Sequence, residues 1–183
     1  MPLSDIITLK LTEGETEMTA TKKKTVYAFI DGNNLYLGVK SQGINLDYRK
    51  LRLYLKNKFN VSKAFLFIGY DPNRTTLYSA LVNAGFKLVH KPVVIYREDG
   101  KRIMKGNVDA ELVLHSAAIE YKNYDEAIVI TSDGDFACLF EFLSEQNKLE
   151  KIITPTKFYS SLFRPFTKFI LPINKIASKI QRH

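Results

Sequence analysis

Runs of consecutive apolar residues alternate along this chain with stretches whose apolar positions recur every three or four residues. The first run, 26–30, is partly β-branched and uncharged, as expected of a strand buried on both faces. It closes at Asp31-Gly32-Asn33-Asn34, which reads as a turn. Between 46 and 59, Tyr48, Leu51, Leu55 and Phe59 fall at helical spacing with Lys and Arg between them, predicting an amphipathic helix. Residues 64–68 read as a second buried strand. A helix over 77–84 stops at Gly85, which can take the left-handed conformation of a C-terminal cap. A third strand follows at 86–89.

The rhythm breaks between 93 and 104. Val93-Val94-Ile95-Tyr96 and Arg102-Ile103-Met104 flank Glu98-Asp99-Gly100, which predicts an inserted β-hairpin and offers an edge for homodimer formation. Residues 108–121 then read as a helix with Val108, Leu112, His115 and Ile119 on one stripe. A fourth strand, 127–130, ends at Thr131-Ser132-Asp133-Gly134-Asp135, and a helix over 136–143 leads to a fifth at 151–153. Ser160 and Ser161 are positioned to cap a helix over 162–168, and 169–173 closes the domain. Strands separated by helices and joined by short turns predict an α/β fold. Its central sheet is mainly parallel, of roughly five strands, and covered on both faces. Residues 1–23, Thr- and Glu-rich without a sustained period, read as a flexible leader; 24–173 form the domain, and 174–183 a basic tail.

Composition narrows the function classes. The 183 residues suit one domain with a substantial core. A single cysteine excludes an intrachain disulfide and a zinc site built from Cys. Cys138 lies in an apolar helical run and reads as a small buried hydrophobe. No basic start precedes an apolar core at the N-terminus, and no stretch approaches the roughly 18 apolar residues of a membrane span. The expectation is a cytoplasmic protein without a membrane partner. The net charge of +8 is uneven. From Lys151 to His183 there is no Asp or Glu, but Lys151, Lys157, Arg164, Lys168, Lys175, Lys179 and Arg182 are all basic. That distribution fits a polyanionic partner and equally a solvated basic end.

The candidate chemistry is carboxylate. In an open α/β sheet, ligands bind beyond the carboxyl ends of the strands, where the strand order reverses. Asp31 follows the first strand, Asp133 and Asp135 follow the fourth, and Asp109 opens a helix after Gly106-Asn107. Each has an ordinary reading as a turn or helix-start residue. Together they place four acids on one edge, where mutual repulsion calls for a cation. Hard oxygen donors select Mg²⁺ or Mn²⁺. A dinucleotide fingerprint, a P-loop and a calcium loop are all absent. His90 and His115 read as structural, so proton removal falls to water activated by the cation.

At these residues the sequence resembles the NYN family, a branch of the PIN-like nucleases, and within it the LabA-like proteins. Phe29-Ile30-Asp31-Gly32-Asn33-Asn34-Leu35, Lys105-Gly106-Asn107-Val108-Asp109 and Ile128-Val129-Ile130-Thr131-Ser132-Asp133-Gly134-Asp135-Phe136 carry the likeness in the family's order. Ser160-Ser161-Leu162-Phe163-Arg164 and Phe169-Ile170 resemble its closing helix and strand. The resemblance implies a Rossmann-like PIN sheet and Mg²⁺- or Mn²⁺-dependent hydrolysis of RNA, single-stranded or structured. Asp31, Asp109, Asp133 and Asp135 would then be catalytic metal ligands. Asn34 would orient a ligand water or phosphate, while Lys105, Ser132 and Arg164 would contact substrate. Two departures stand out. One extra residue separates Gly106 from Asp109, and Arg164 is followed by Pro165-Phe166-Thr167 where the family often has an acid. Tyr36 and Phe136, beside the acidic turns, are candidates for base stacking or for the core. The rival from another class is a catalytically weak RNA-binding regulatory module of the same fold. A phosphatase with an Asp nucleophile fits less well, because Asp31-Gly32-Asn33 lacks a second Asp.

Overall fold

The structure, a computed structural model, describes residues 23–92, 94–98, 101–105 and 108–182. The expected leader lies outside them except for Lys23, as do the hairpin turn at Asp99-Gly100 and the Gly106-Asn107 pair.

The chain runs β1 (Val26–Asp31), α1 (Gly32–Ser41), α2 (Tyr48–Phe59), β2 (Val61–Tyr70), α3 (Thr75–Asn83) and β3 (Lys87–Pro92). The hairpin β4 (Val94–Glu98) and β5 (Lys101–Lys105) follows, then α4 (Asp109–Leu114), β6 (Glu126–Ile130), α5 (Ala137–Glu145) and β7 (Leu149–Thr154). A 3₁₀ helix (Ser161–Phe169), β8 (Ile170–Pro172) and α6 (Ala177–Ile180) end it. The order β3-β2-β1-β6-β7-β8 forms one sheet, parallel throughout, and β4 and β5 pair antiparallel in a separate ribbon. The sheet has six strands rather than five, because the short run 170–172 pairs with β7, Ile152 opposite Ile170.

Alternation along β1 divides the core. Val26, Ala28 and Ile30 join a cluster containing Leu35, Val39, Leu51, Leu55 and Ile180, beneath α1, α2 and α6. Tyr27 and Phe29 face the other way into Leu112, Phe136, Phe140 and Phe163, beneath α4, α5 and the 3₁₀ helix. Burial on both faces explains why the parallel strands are continuous apolar runs in the sequence. Phe29 is completely buried and stacks on Phe65 at 5.5 Å between ring centroids.

Four expectations change. Asp31-Gly32-Asn33-Asn34 is the start of α1, not a free turn: the Asp31 carboxylate caps it by accepting from the Asn34 N–H at 3.0 Å. Turns and helix N-caps favour the same small polar residues, and the decisive signal was Leu35 and Val39, four apart and both buried. The helix predicted over 108–121 keeps its α form only to Leu114 and then takes a π turn, His115–Ile119, with the Glu120 N–H reaching the His115 carbonyl. That extra residue rotates the stripe, so Ser116 is buried and Ile119 is 53% exposed. Cys138 is exposed on the first turn of α5, because Leu139, Phe140 and Leu143 supply the buried face. Residues 174–182 of the expected basic tail pack back on the domain. Ile176 and Ile180 bury against α2 while Lys175 and Lys179 point outward, and Leu46 forms a bridge with Gln181.

Candidate metal centre

β1 lies between β2, which leads outward to β3, and β6, which leads outward to β7 and β8. The strand order therefore reverses between β1 and β6, and their carboxyl ends diverge into the crevice where such sheets bind ligands. Ile30 pairs with Ile130, so Asp31 and the 131–135 turn leave the sheet side by side. The pleat then places Asp31 on the face occupied by Phe29, which is the face α4 covers.

Asp109 is the first residue of α4 despite the extra residue before it, where the positive end of the helix dipole favours a carboxylate. Asp133 and Asp135 sit on a tight turn, in which the Asp133 N–H donates to Thr131 Oγ1 at 3.1 Å and Asp133 Oδ1 accepts from the Asp135 N–H at 3.1 Å. Asp109, Asp133 and Asp135 each offer a carboxylate oxygen, all within 4.8 Å of one another. Asp31 is not part of that trio. It is buried near them, 6% exposed, and its pKa is pushed up from 3.8 to about 6. Burial is the main cause, and the charges of Asp109 and Asp133 add to it, against the N–H groups of Asn34 and Asn33. Three carboxylate oxygens converging near a fourth, buried acid suit a divalent cation bound through oxygen.

The other expected site residues separate. Asn34 Oδ1 accepts the Ser132 N–H at 2.9 Å, tying the start of α1 to the acidic turn. Ser132 Oγ in turn accepts from the Thr156 N–H at 3.2 Å and lies 3.1 Å from Thr156 Oγ1. Both act within the scaffold of the turn. Lys105 ends β5, and its side chain lies outside the described residues. Arg164 is exposed on the 3₁₀ helix and makes no ion pair with Asp133 or Asp135. Phe136 is core, whereas Tyr36 is 50% exposed. His90 packs on Tyr78 at 4.7 Å and His115 on Phe67 at 5.5 Å between ring centroids, so neither belongs to the acidic cluster.

Sequence reasoning passed over the loop after β7. Gly134 leaves no room for a side chain: a Cβ there would stand 2.4 Å from Ser160 Oγ. The loop is thereby pressed against the acidic turn, with Thr156 Oγ1 donating to the Phe158 carbonyl at 2.6 Å. On it Phe158 is 92% exposed. The signal was present as Lys157-Phe158-Tyr159, a basic and aromatic run between two hydroxyl pairs.

The match to the NYN domain family covers residues 25–172. The chain belongs to the NYN family. This is a family of PIN-like nucleases, and the matched span contains Asp31 as well as the trio Asp109, Asp133 and Asp135. Among its relatives, the low amplitude and bright protein LabA of Synechococcus elongatus is 26% identical over 161 residues, covering 84% of this chain and 86% of that protein. A crystal structure of a protein of unknown function from Vibrio parahaemolyticus shares the fold with a TM-score of 0.66 at 24% identity, over 85% of this chain and 96% of that one. No helix among the described residues is long and apolar enough to cross a membrane.

Proposed function

We propose that this NYN protein is a metal-dependent ribonuclease hydrolysing RNA phosphodiester bonds with Mg²⁺ or Mn²⁺. The observation that carries the reading is the convergence of Asp109, Asp133 and Asp135 within 4.8 Å at the reversal of strand order. These three would hold the cation, and Asp31 would supply a fourth negative charge near them. When bound, the cation lowers the pKa of a water and neutralises charge on the phosphate. The chain's own contribution is placement. Asn34 and Ser132 fix the acidic turn against α1 and against the loop after β7. Phe158 and Tyr36 present exposed rings on which unstacked bases rest, a mode of contact that favours single strands and loops. Arg164, Lys105 and Lys157 meet flanking phosphates.

The test is cleavage of a mixed RNA with Mn²⁺ or Mg²⁺ by the wild type and by Asp133→Asn, with DNA of the same sequence as comparison. Metal-dependent cleavage by the wild type alone supports the reading. Equal cleavage by both proteins removes Asp133 from the chemistry, and RNA binding without cleavage favours the regulatory module.

A further inference from the structure

Helix α2 carries Arg49, Lys50, Arg52, Lys56 and Lys58 and no acid. Its apolar side, Leu51 and Leu55, is spent on the core beneath the sheet. The last ten described residues, 173–182, pack beside it and add Lys175, Lys179 and Arg182, again without an acid. The two segments sum to +8, equal to the formal net charge of the whole chain. None of these eight cations is in an ion pair among the described residues, whose salt bridges engage Lys24, Lys63, Arg74 and Lys91 instead. Arg52 and Lys50 are held by backbone carbonyls, of Gly85, Val61 and Ser62 for Arg52 and of Gln181 for Lys50. The remainder, Arg49, Lys56, Lys58, Lys175, Lys179 and Arg182, are exposed and outside those ion pairs.

We infer that the α2–α6 face is a second RNA-binding surface, which grips phosphates of the strand away from the acidic crevice. The inference rests on RNA being the substrate class proposed above. Two clefts run along the face. One of about 540 Å³ is bounded by Arg49, Arg52 and Lys56, and one of about 370 Å³ by Lys50, Lys58 and Lys179. Leu53 and Asn57 or Leu53 and Asn83 line them between the charges, and Lys179 Nζ stands 5.9 Å from the centre of the Tyr54 ring. Basic groups interleaved with an amphipathic aromatic suit a nucleic-acid backbone with adjacent bases. An anionic membrane fits less well: an interfacial helix turns a broad apolar face outward, and α2 turns its apolar face inward. At twelve residues the helix is about 18 Å long, enough to follow several successive phosphates. Helix α2 ends at Phe59, next to the amino end of β2, and Arg52 reaches the Val61 and Ser62 carbonyls there, whereas the acids lie at the carboxyl ends of the strands. RNA bound there is therefore held at a distance from the bond being cut, which favours long substrates over short ones.

The experiment uses the full chain carrying Arg49→Gln, Lys56→Gln, Lys58→Gln and Lys179→Gln, four positions outside the core and the crevice. Binding of a labelled RNA of about 30 nucleotides, longer than one strand-binding site, is followed by anisotropy in EDTA over a range of KCl. The slope of log affinity against log salt is expected to fall by about 3, at about 0.7 for each phosphate of a single strand that is no longer neutralised. Lys87→Gln with Lys122→Gln, exposed elsewhere, leaves it unchanged. An unchanged slope in the quadruple variant overturns the inference, as does a wild type that binds phosphatidylserine vesicles or polyglutamate but not RNA. Cleavage is read separately. Binding that depends on α2 without cleavage sinks the ribonuclease reading and leaves the surface standing; cleavage with an unaltered slope does the reverse.

Discussion

Replacing Asp31 by Asn removes a carboxylate that the fold holds at a disadvantage. Its pKa of about 6, against 3.8 ordinarily, means that the folded protein binds this proton more tightly than the unfolded chain. Stability from this group is therefore fully present below about pH 4 and is lost as pH rises through about 6. The rise corresponds to about 3 kcal/mol of destabilisation at neutral pH and above. The group is nearly buried, so solvent screening takes little from that figure. Asn has the same shape and caps a helix as well as Asp does, so the Asn34 N–H keeps its acceptor. Urea unfolding in EDTA measures the difference between the two proteins at about pH 4 and about pH 8. The expected result is near equality at the lower pH and a variant more stable by about 3 kcal/mol at the higher, a midpoint shift of roughly 1–2 M urea. A variant that tracks the wild type at both pH values, or is the less stable at high pH, refutes the reasoning about Asp31.

Other predictions concern the scaffold and the rim. Asn34→Ala leaves the Ser132 N–H without its acceptor, and a loss of about 1–3 kcal/mol is expected by chemical denaturation, together with weaker Mn²⁺ binding by calorimetry. Gly134→Ala forces the Ser160 loop off the acidic turn, and chemical denaturation should show a destabilisation of about 1–3 kcal/mol. Phe158→Ala is expected to leave Tm unaltered while weakening single-stranded RNA binding about tenfold, and Phe158→Trp to restore it. Phe29→Ala opens a cavity in the central strand and should cost about 3–5 kcal/mol in urea unfolding.

How much of this was legible in the sequence depended on the kind of signal. The parallel strands were visible because burial on both faces writes itself as uninterrupted apolar residues, as in 26–30 and 127–130. Helix α1 was hidden because its cap is made of turn residues, and the π turn because periodicity assumes a constant repeat. The four acids were legible as residues at strand and helix ends, but their division into a trio and a separate, buried Asp31 was not. It depends on where α4 begins and on which face Asp31 points to, both three-dimensional matters. Asn34 was read as ligand-facing, and its hydrogen bond from the Ser132 N–H to Oδ1, across 98 residues of chain, was not visible in the sequence. The basic charge of the C-terminal segment was evident. Its junction with α2 into one surface was not, since more than a hundred residues separate them in the chain.

The central claim is that the acidic crevice holds a cation that serves RNA cleavage. Its most direct test follows a labelled RNA incubated with the purified protein in Mn²⁺ and in EDTA, alongside Asp133→Asn shown by circular dichroism to be folded. The account predicts cleavage by the wild type in Mn²⁺ alone, and none by the variant. Cleavage that persists in EDTA or in Asp133→Asn, or a wild type that leaves every RNA intact in Mn²⁺ and Mg²⁺, contradicts it.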